Sequence, residues 1–139
     1  MYATNNNVDD IIDLMLEAHD KSTMCKHEIN LAKLKVHLEY WINNPKCLVL
    51  INEKVTACYI LALQPSWWSD KALISDVFFY SKSSGAGIRL MKESKKWLNG
   101  FKDSITSIKI STSNSKPGVD YMYKRMGYQQ TGFTYEEVL

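Results

Sequence analysis

The chain lacks most of the features that would place it at a glance. It has no large excess of charge of either sign: seventeen basic against fifteen acidic residues leave a formal +2. A chain-wide polycation of the kind that drives nonspecific phosphate binding is therefore absent, and a dedicated nucleic-acid binder is disfavoured. It has no long apolar run, because Cys47 to Ile51 and Val55 to Leu63 fall below half the roughly 20 residues needed to cross a bilayer. A soluble protein without a membrane partner is expected. Its three cysteines, Cys25, Cys47 and Cys58, are an odd number without CxxC spacing, and two lie in apolar runs where a thiol acts as a small hydrophobe. Reduced, structural cysteines fit that usage. The start, Met1-Tyr2-Ala3-Thr4-Asn5, reaches Asp9 and Asp10 with neither the cationic opening nor the apolar centre of a secretory signal, which points to cytoplasmic folding. His19, His27 and His37 have no familiar ligand spacing and no HExxH or cysteine cluster beside them, so they read as surface or helix-flank residues and no metal is expected. No Pro/Gly/Ser-rich linker, repeat or low-complexity tract divides the 139 residues, and one domain spanning 1–139 follows.

What is present is an alternation of helix and strand signals, the mark of an α/β chain. Asn7 with Asp10 resembles a capping box, and Val8, Ile11, Ile12, Met15 and His19 share one face, which predicts a helix over 8–19. A second helix is predicted from Glu28 through Leu31, Leu34, Leu38, Trp41 and Ile42, ending before Asn44-Pro45. Cys47 to Ile51, the turn residues Asn52-Glu53-Lys54, and Val55 to Leu63 read as a hairpin, with Tyr2-Ala3 as a short edge strand. Leu73 to Tyr80 is the next strand; strict alternation puts Ile74, Asp76, Phe78 and Tyr80 on one face and Val77 and Phe79 on the other. Ser81 to Gly87 breaks it, Ile88 to Leu98 is helical up to Asn99-Gly100, and Ile105 to Ile110 is a strand. Pro117-Gly118 opens a short helix stopped by Gly127, and Tyr128 to Val138 divides at Gly132 into two short strands. The predicted order is (β)ααβββαβαββ.

The strand, glycine loop and helix over 73–98 carry the most chemistry. Gly85 and Gly87 allow backbone N–H groups to approach a ligand without Cβ hindrance. The free N–H groups and dipole of the following helix, roughly +0.5 charge, favour an anion such as a pyrophosphate. Arg89, Lys92, Lys95 and Lys96 crowd the same helix. The alternative is a solvated helix face after a tight turn. A Walker A loop would need Gly-Lys-Ser/Thr, which the chain lacks, and a dinucleotide fingerprint would need glycine where Leu90 stands.

These residues resemble the GNAT superfamily of acetyl-CoA-dependent N-acetyltransferases. The family's cofactor loop, Gln/Arg-x-x-Gly-x-Gly/Ala between strand and helix, is matched by Lys82-Ser83-Ser84-Gly85-Ala86-Gly87 with Lys in first place. Its Tyr-x-x-x-Gly-Phe signature is matched by Tyr123-Lys124-Arg125-Met126-Gly127-Tyr128. The element order is also similar over nearly the whole chain. The resemblance implies a mixed central sheet splayed where the Leu73 to Tyr80 and Ile105 to Ile110 strands part, with acetyl-CoA as cosubstrate and its pantetheine arm in the gap. It implies that backbone groups of Val77, Phe78 and Phe79 hold that arm. The N–H groups of Lys82, Ser83, Ser84, Gly85, Ala86, Gly87 and Ile88 would bind the pyrophosphate, and Asn114 takes the place of the family asparagine. It stands nine residues before Tyr123 where seven is commoner, which a two-residue insertion at Lys116-Pro117 explains.

The reaction so implied is direct attack of a primary amine, from a protein or a small molecule, on the thioester in a ternary complex. Tyr123 would protonate the leaving thiolate; otherwise it is a packed aromatic of its short helix. Some relatives carry a glutamate five residues before the asparagine, but Lys109 stands there. Asp76 is the next candidate base, against the alternatives of an aspartate paired with a lysine or a backbone donor, and of a water relay. Trp67 and Trp68 are candidate acceptor-site residues, because adjacent strand residues point opposite ways and both cannot be core in a regular segment. His27, followed by Glu28, is a more remote one. With so short a chain, acceptor selectivity is expected from the two leading helices and the Pro65 to Asp70 loop. Two other functions stay open: a CoA-binding regulatory or interaction module without turnover, and a tRNA-directed acetyltransferase. The state is monomer or homodimer, since the last strand, Phe133 to Val138, could cover its own sheet or pair with a second chain.

Overall fold

A computed structural model describes residues 1–22, 27–111, 117–132 and 137. After a short 3-10 turn, Asn5–Asn7, the first helix, α1, is Val8–Lys21. Its acidic first turn, Asp9 and Asp10, and its last-turn His19 and Lys21 complement the helix dipole. Asn7 does not cap it as expected: the Asn7 side chain turns back and accepts from the Thr4 N–H at 2.9 Å, closing the 3-10 turn instead. The second helix, α2, is Leu31–Asn43, three residues shorter at its start than predicted, because the Asn30 side chain accepts from the Lys33 N–H at 3.0 Å and caps it there.

Four strands follow the order β1 (Cys47–Ile51), β2 (Ala57–Gln64), β3 (Ala72–Ser81) and β4 (Ile105–Lys109), side by side in that sequence. The first two pairings are antiparallel, and β3 pairs with β4 in parallel across the helix α3, Ala86–Asn99. Tyr2 adds an isolated bridge to Leu50, so the expected edge strand amounts to a single pair. The last helix, α4, is Pro117–Arg125. Residues 128–132, expected as a strand, form none, and most of the final expected strand lies outside the described residues.

Both sheet faces are covered, which is why β1 and β2 read as unbroken apolar runs rather than alternating ones. On one face Val8, Ile11, Leu14 and Leu38 pack on Val49, Ile51, Cys58 and Ile60. On the other, Leu90, Met91 and Leu98 of α3 pack on Leu48, Leu50, Tyr59, Leu61 and Ile74, with Met122 and Tyr123 of α4 and Met126 just after it at the margin. Cys58 is wholly inside, and burial pushes its thiol up to about 12. Cys47 is half-buried, and Cys25 lies outside the described residues.

Two irregularities in β3 set up everything functional. Ile60 faces Phe78 while Leu61 faces Asp76, so Val77 is an extra residue without a partner on β2, a β-bulge. The bulge breaks the alternation expected from sequence: Ile74 and Phe79 belong to the α3 face, whereas Phe78 and Tyr80 belong to the α1–α2 face. The second irregularity is that β4 pairs with β3 only as far as Ser75↔Lys109, although β3 runs on to Ser81. The sheet is splayed beyond that point.

After β3 the chain turns through Gly85, at φ +73°, into α3, and Gly87 comes against the strand it has just left. A Cβ at Gly87 would lie 2.8 Å from Phe79 Cζ and 3.1 Å from Ser81 Cβ. The Phe79 ring is itself wedged edge-on against Tyr59 at 5.1 Å between centroids, so it has little room to yield. Gly87→Ala should accordingly cost about 1–3 kcal/mol of stability through overpacking. Denaturant unfolding measures it, and an unchanged midpoint would show that Phe79 moves aside freely.

Candidate active site

The splay opens a groove of about 1420 Å³. Its floor is the unpaired edge of β3 from Asp76 to Ser81, and its walls are α1 and α2 on one side and Val119, Met122 and Tyr123 of α4 on the other. It runs to the turn holding Ser83, Gly85, Gly87 and Ile88. That volume exceeds the roughly 300–1,000 Å³ of a drug-sized pocket and leaves room for two reactants together.

At the crotch of the splay the Asp76 carboxylate replaces the lost strand pairing. Its Oδ1 accepts from the Ser111 N–H at 2.9 Å, just past the end of β4. Of the alternatives set by the sequence, the backbone donor is realised, and no lysine is paired with Asp76 among the described residues. Burial raises its pKa above the ordinary carboxylate value, and backbone hydrogen bonds from Ser111 and from its own N–H oppose that only in part. Tyr123 lies within its field: burial first, then the Asp76 charge, pushes the phenol up to about 12. Tyr128 is raised by the same two causes in the same order.

The Tyr-x-x-x-Gly-Tyr pattern has a local physical basis. Gly127, at φ +89°, ends α4, and the Tyr128 N–H returns to the Tyr123 carbonyl at 3.1 Å, a Schellman-type closure. This folds Tyr128 back until its ring meets Tyr123 at 6.0 Å and a right angle. Lys95 of α3 covers the outer face of Tyr128 at 4.9 Å, so one of the helix cations is committed to an aromatic ring.

At the other end of the groove not every expected N–H is available. That of Lys82 donates to the Thr56 carbonyl at 2.9 Å and that of Ala86 to the Ser83 carbonyl at 3.3 Å, because both serve the turn that leads into α3. Those of Ser83, Ser84, Gly85, Gly87 and Ile88 have no partner among the described residues, and Gly85, as the N-cap, has no side chain to supply one. These donors at a helix start form a cradle suited to an anion. The Lys82 ammonium is turned away from it, donating at 2.6 Å to Glu17, which also takes Lys21 at 2.6 Å and the Tyr80 hydroxyl at 3.3 Å.

Val77, Phe78, Phe79, Ser83, Gly85, Gly87, Ile88, Asp76 and Tyr123 are thus brought to one groove, and Lys82, Ser84 and Ala86 lie beside it. Asn114 lies outside the described residues. Trp67 and Trp68 are 94% and 95% exposed: their loop bends, with the Trp68 N–H on the Ser66 hydroxyl at 3.3 Å, and neither ring packs or lines the groove. His27 offers its carbonyl to His19 Nε2 at 2.9 Å and is not on the groove wall, although Glu28 is. The residues missed from sequence are Met15, His19, Leu34 and His37, which wall the groove. The sequence pattern counts Met15, His19 and Leu34 with the packed faces of the two leading helices and His37 as a surface residue, so no separate signal marks them. Among the described residues no group of histidines, cysteines and carboxylates could hold a metal ion, and no helix is long and apolar enough to cross a membrane.

No protein-family model matches the sequence, and no curated protein does. Solved structures do match the fold. A protein from Arthrobacter sp. FB24 assigned provisionally as an acetyltransferase superposes with a TM-score of 0.73 at 15% identity, over 99% of this chain and 94% of its own. An aminoglycoside acetyltransferase from a soil metagenome, solved with sisomicin, gives 0.69 at 11% identity, over 100% and 94%. The aminoglycoside antibiotic 6'-N-acetyltransferase of Acinetobacter haemolyticus gives 0.71 at 12% identity, over 100% and 96%. The chain shares the fold of these acetyltransferases, in keeping with the mixed, splayed sheet that the resemblance implied.

Glu17 ties α1 to the end of β3. Hydrogen bonds from Lys21 and then Lys82 hold its carboxyl down at about 2, against 4.5 for the free group. A carboxyl depressed on folding contributes stability fully above its unfolded value, and loses it as the pH falls from 4.5 toward 2. The melting temperature of the wild type should therefore fall more steeply than that of Glu17→Gln across this window. Parallel curves would show that the ion pairs contribute nothing measurable.

Proposed function

We propose that this protein transfers an acetyl group from acetyl-CoA to a primary amine. The observation that carries this reading is one groove with an anion cradle at the start of α3, an unpaired strand edge along its floor, and Asp76 with Tyr123 at its far end. A phosphorylated cosubstrate fits it: Ser83, Ser84, Gly85, Gly87 and Ile88 would hold the pyrophosphate, and the free edge from Val77 to Phe79 would hydrogen-bond the pantetheine amides.

An alkylamine with a pKa of about 10.4 is nearly all ammonium at neutral pH and must lose a proton before it attacks. Asp76 Oδ2 takes that proton, since Ser111 occupies Oδ1, and burial makes Asp76 a better acceptor than a surface aspartate. The amine nitrogen bonds to the thioester carbon, the oxygen gains charge against N–H donors of the bulged strand, and the C–S bond breaks as the tetrahedral species collapses. Tyr123 gives its proton to the departing sulfur and regains one from the nitrogen, which sheds its excess proton as the amide forms. The raised pKa keeps the phenol protonated until it is needed. Once Asp76 has been neutralised by the amine's proton, the charge that opposed ionisation of Tyr123 is gone, and the phenol becomes the stronger acid as the thiolate leaves.

Two of the fold neighbours act on aminoglycosides by name, and such acceptors carry several positive charges. Here Glu28 and Asp76 on the groove wall are balanced by Lys21 and Lys33. A singly charged amine suits that wall better than a polycation.

Acetyl-CoA at a hundred times its dissociation constant should stabilise the fold by about 2.7 kcal/mol. A melting temperature unmoved by acetyl-CoA and by CoA rejects the reading. Cosubstrate binding without thiol release over a broad amine panel would instead support a CoA-binding module without turnover. Tyr123→Phe should lower kcat about 10²-fold or more with cosubstrate affinity nearly unchanged, as general-acid contributions of that order imply. The acid limb of the kcat/KM profile should lie above the ordinary carboxylate range and disappear in Asp76→Asn; a limb that persists there would exclude Asp76 as the base.

A further inference from the structure

We propose that Thr56, on the turn between β1 and β2, is a positioning residue for the anion cradle, and that the strained shape of its turn serves to hold it there. The inference rests on the reading of residues 83–88 as the pyrophosphate site. Thr56 lies 27 positions from Ser83 in the chain, yet their hydroxyl oxygens are 2.6 Å apart and share one hydrogen bond. The Thr56 carbonyl also takes the Lys82 N–H at 2.9 Å, so one residue grips the loop through both side chain and backbone. From the β3 side, the Ser81 hydroxyl donates to the Ser83 carbonyl at 2.9 Å. Ser83 is thus fixed at its hydroxyl and its carbonyl while its N–H stays free for a ligand.

Thr56 is in turn fixed by Asn52. The Asn52 Oδ1 accepts from the N–H groups of Thr56 and Ala57, both at 2.8 Å, and its Nδ2 donates to the Thr56 hydroxyl oxygen at 2.8 Å. To close this arrangement Val55 takes φ +47°, a left-handed conformation that a β-branched residue rarely adopts. Such conformations persist only where the surroundings over-determine them, and they concentrate at sites that must be held in one shape. The turn is built to present a hydroxyl, and what it presents it to is the first residue of the cradle. A cradle ordered in advance saves the ligand the entropy of ordering it. Asp76 and Tyr123, at the other end of the groove, are untouched by this contact.

The test compares Thr56→Val, which keeps the shape and loses the hydroxyl, with Thr56→Ser, which keeps the hydroxyl. In the ligand-free protein, amide hydrogen exchange at Lys82 and Ala86, whose N–H groups are bonded to the Thr56 and Ser83 carbonyls, should quicken about fivefold in Thr56→Val, the factor carried by one net hydrogen bond, and stay at the wild-type rate in Thr56→Ser. The amides of Cys58 to Leu61 in β2 should not change. The KM and the dissociation constant for acetyl-CoA should rise about fivefold in Thr56→Val while kcat stays within twofold. Unchanged exchange at Lys82 and Ala86, or an equal rise through β2, overturns the proposal, as does faster loop exchange with an unaltered affinity for acetyl-CoA. Ser83→Ala removes the same bond from the other side and decides the matter if Thr56→Val does not fold. A wild type that binds no acetyl-CoA overturns the reading of the cradle itself, and the wild-type arm alone reveals that failure.

Discussion

Beyond Ser75 the third strand has a neighbour on one side only among the described residues. Leaving a strand edge open inside a protein is costly, because each backbone donor and acceptor needs a partner or water. The costs are met locally here. Asp76 supplies a carboxylate oxygen to Ser111 where β4 departs, and the bulge at Val77 turns the strand just as pairing ends. The groove, the placing of Asp76 beside Tyr123 and the free edge that could hold an extended polar chain all follow from that parting.

The two ends of the groove are joined through one strand rather than through loops. Gly87 at the head of α3 packs on Phe79, Phe79 packs edge-on to Tyr59, and burial together with the nearby charges of Tyr128 and Asp76 raises the pKa of Tyr59. Cradle and crotch are therefore held at a set separation by close-packed side chains that leave little freedom for either to drift. Meanwhile the loop is braced from outside by residues distant in sequence, Thr56 from the hairpin and Glu17 from α1.

Much of this was legible in the sequence, for identifiable reasons. The helical stripes, the apolar runs of β1 and β2, and the Gly-x-Gly and Tyr-x-x-x-Gly-Tyr patterns are local signals, and each corresponds to an element or a turn in the fold. What was hidden depends on competition or on distance. Asn7 had two partners within reach and chose Thr4 behind it. Strict alternation in β3 fails at Val77, because a bulge leaves no mark in composition. The commitment of Lys82 to Glu17, 65 residues away, and of its N–H to Thr56, could not be seen from the loop motif alone. Trp67 and Trp68 drew attention by their size, yet they stand outside the groove, while the plainer Met15, His19, Leu34 and His37 line it.

The central claim is that the open edge of β3 and the cradle at the start of α3 receive a single ligand. Backbone amide chemical shifts followed during titration with CoA test it most directly. The account predicts that the amides of Val77 to Phe79 and those of Ser83 to Ile88 move together, with one dissociation constant. Perturbation of one group without the other, or shifts confined to the Pro65 to Asp70 loop, would contradict it.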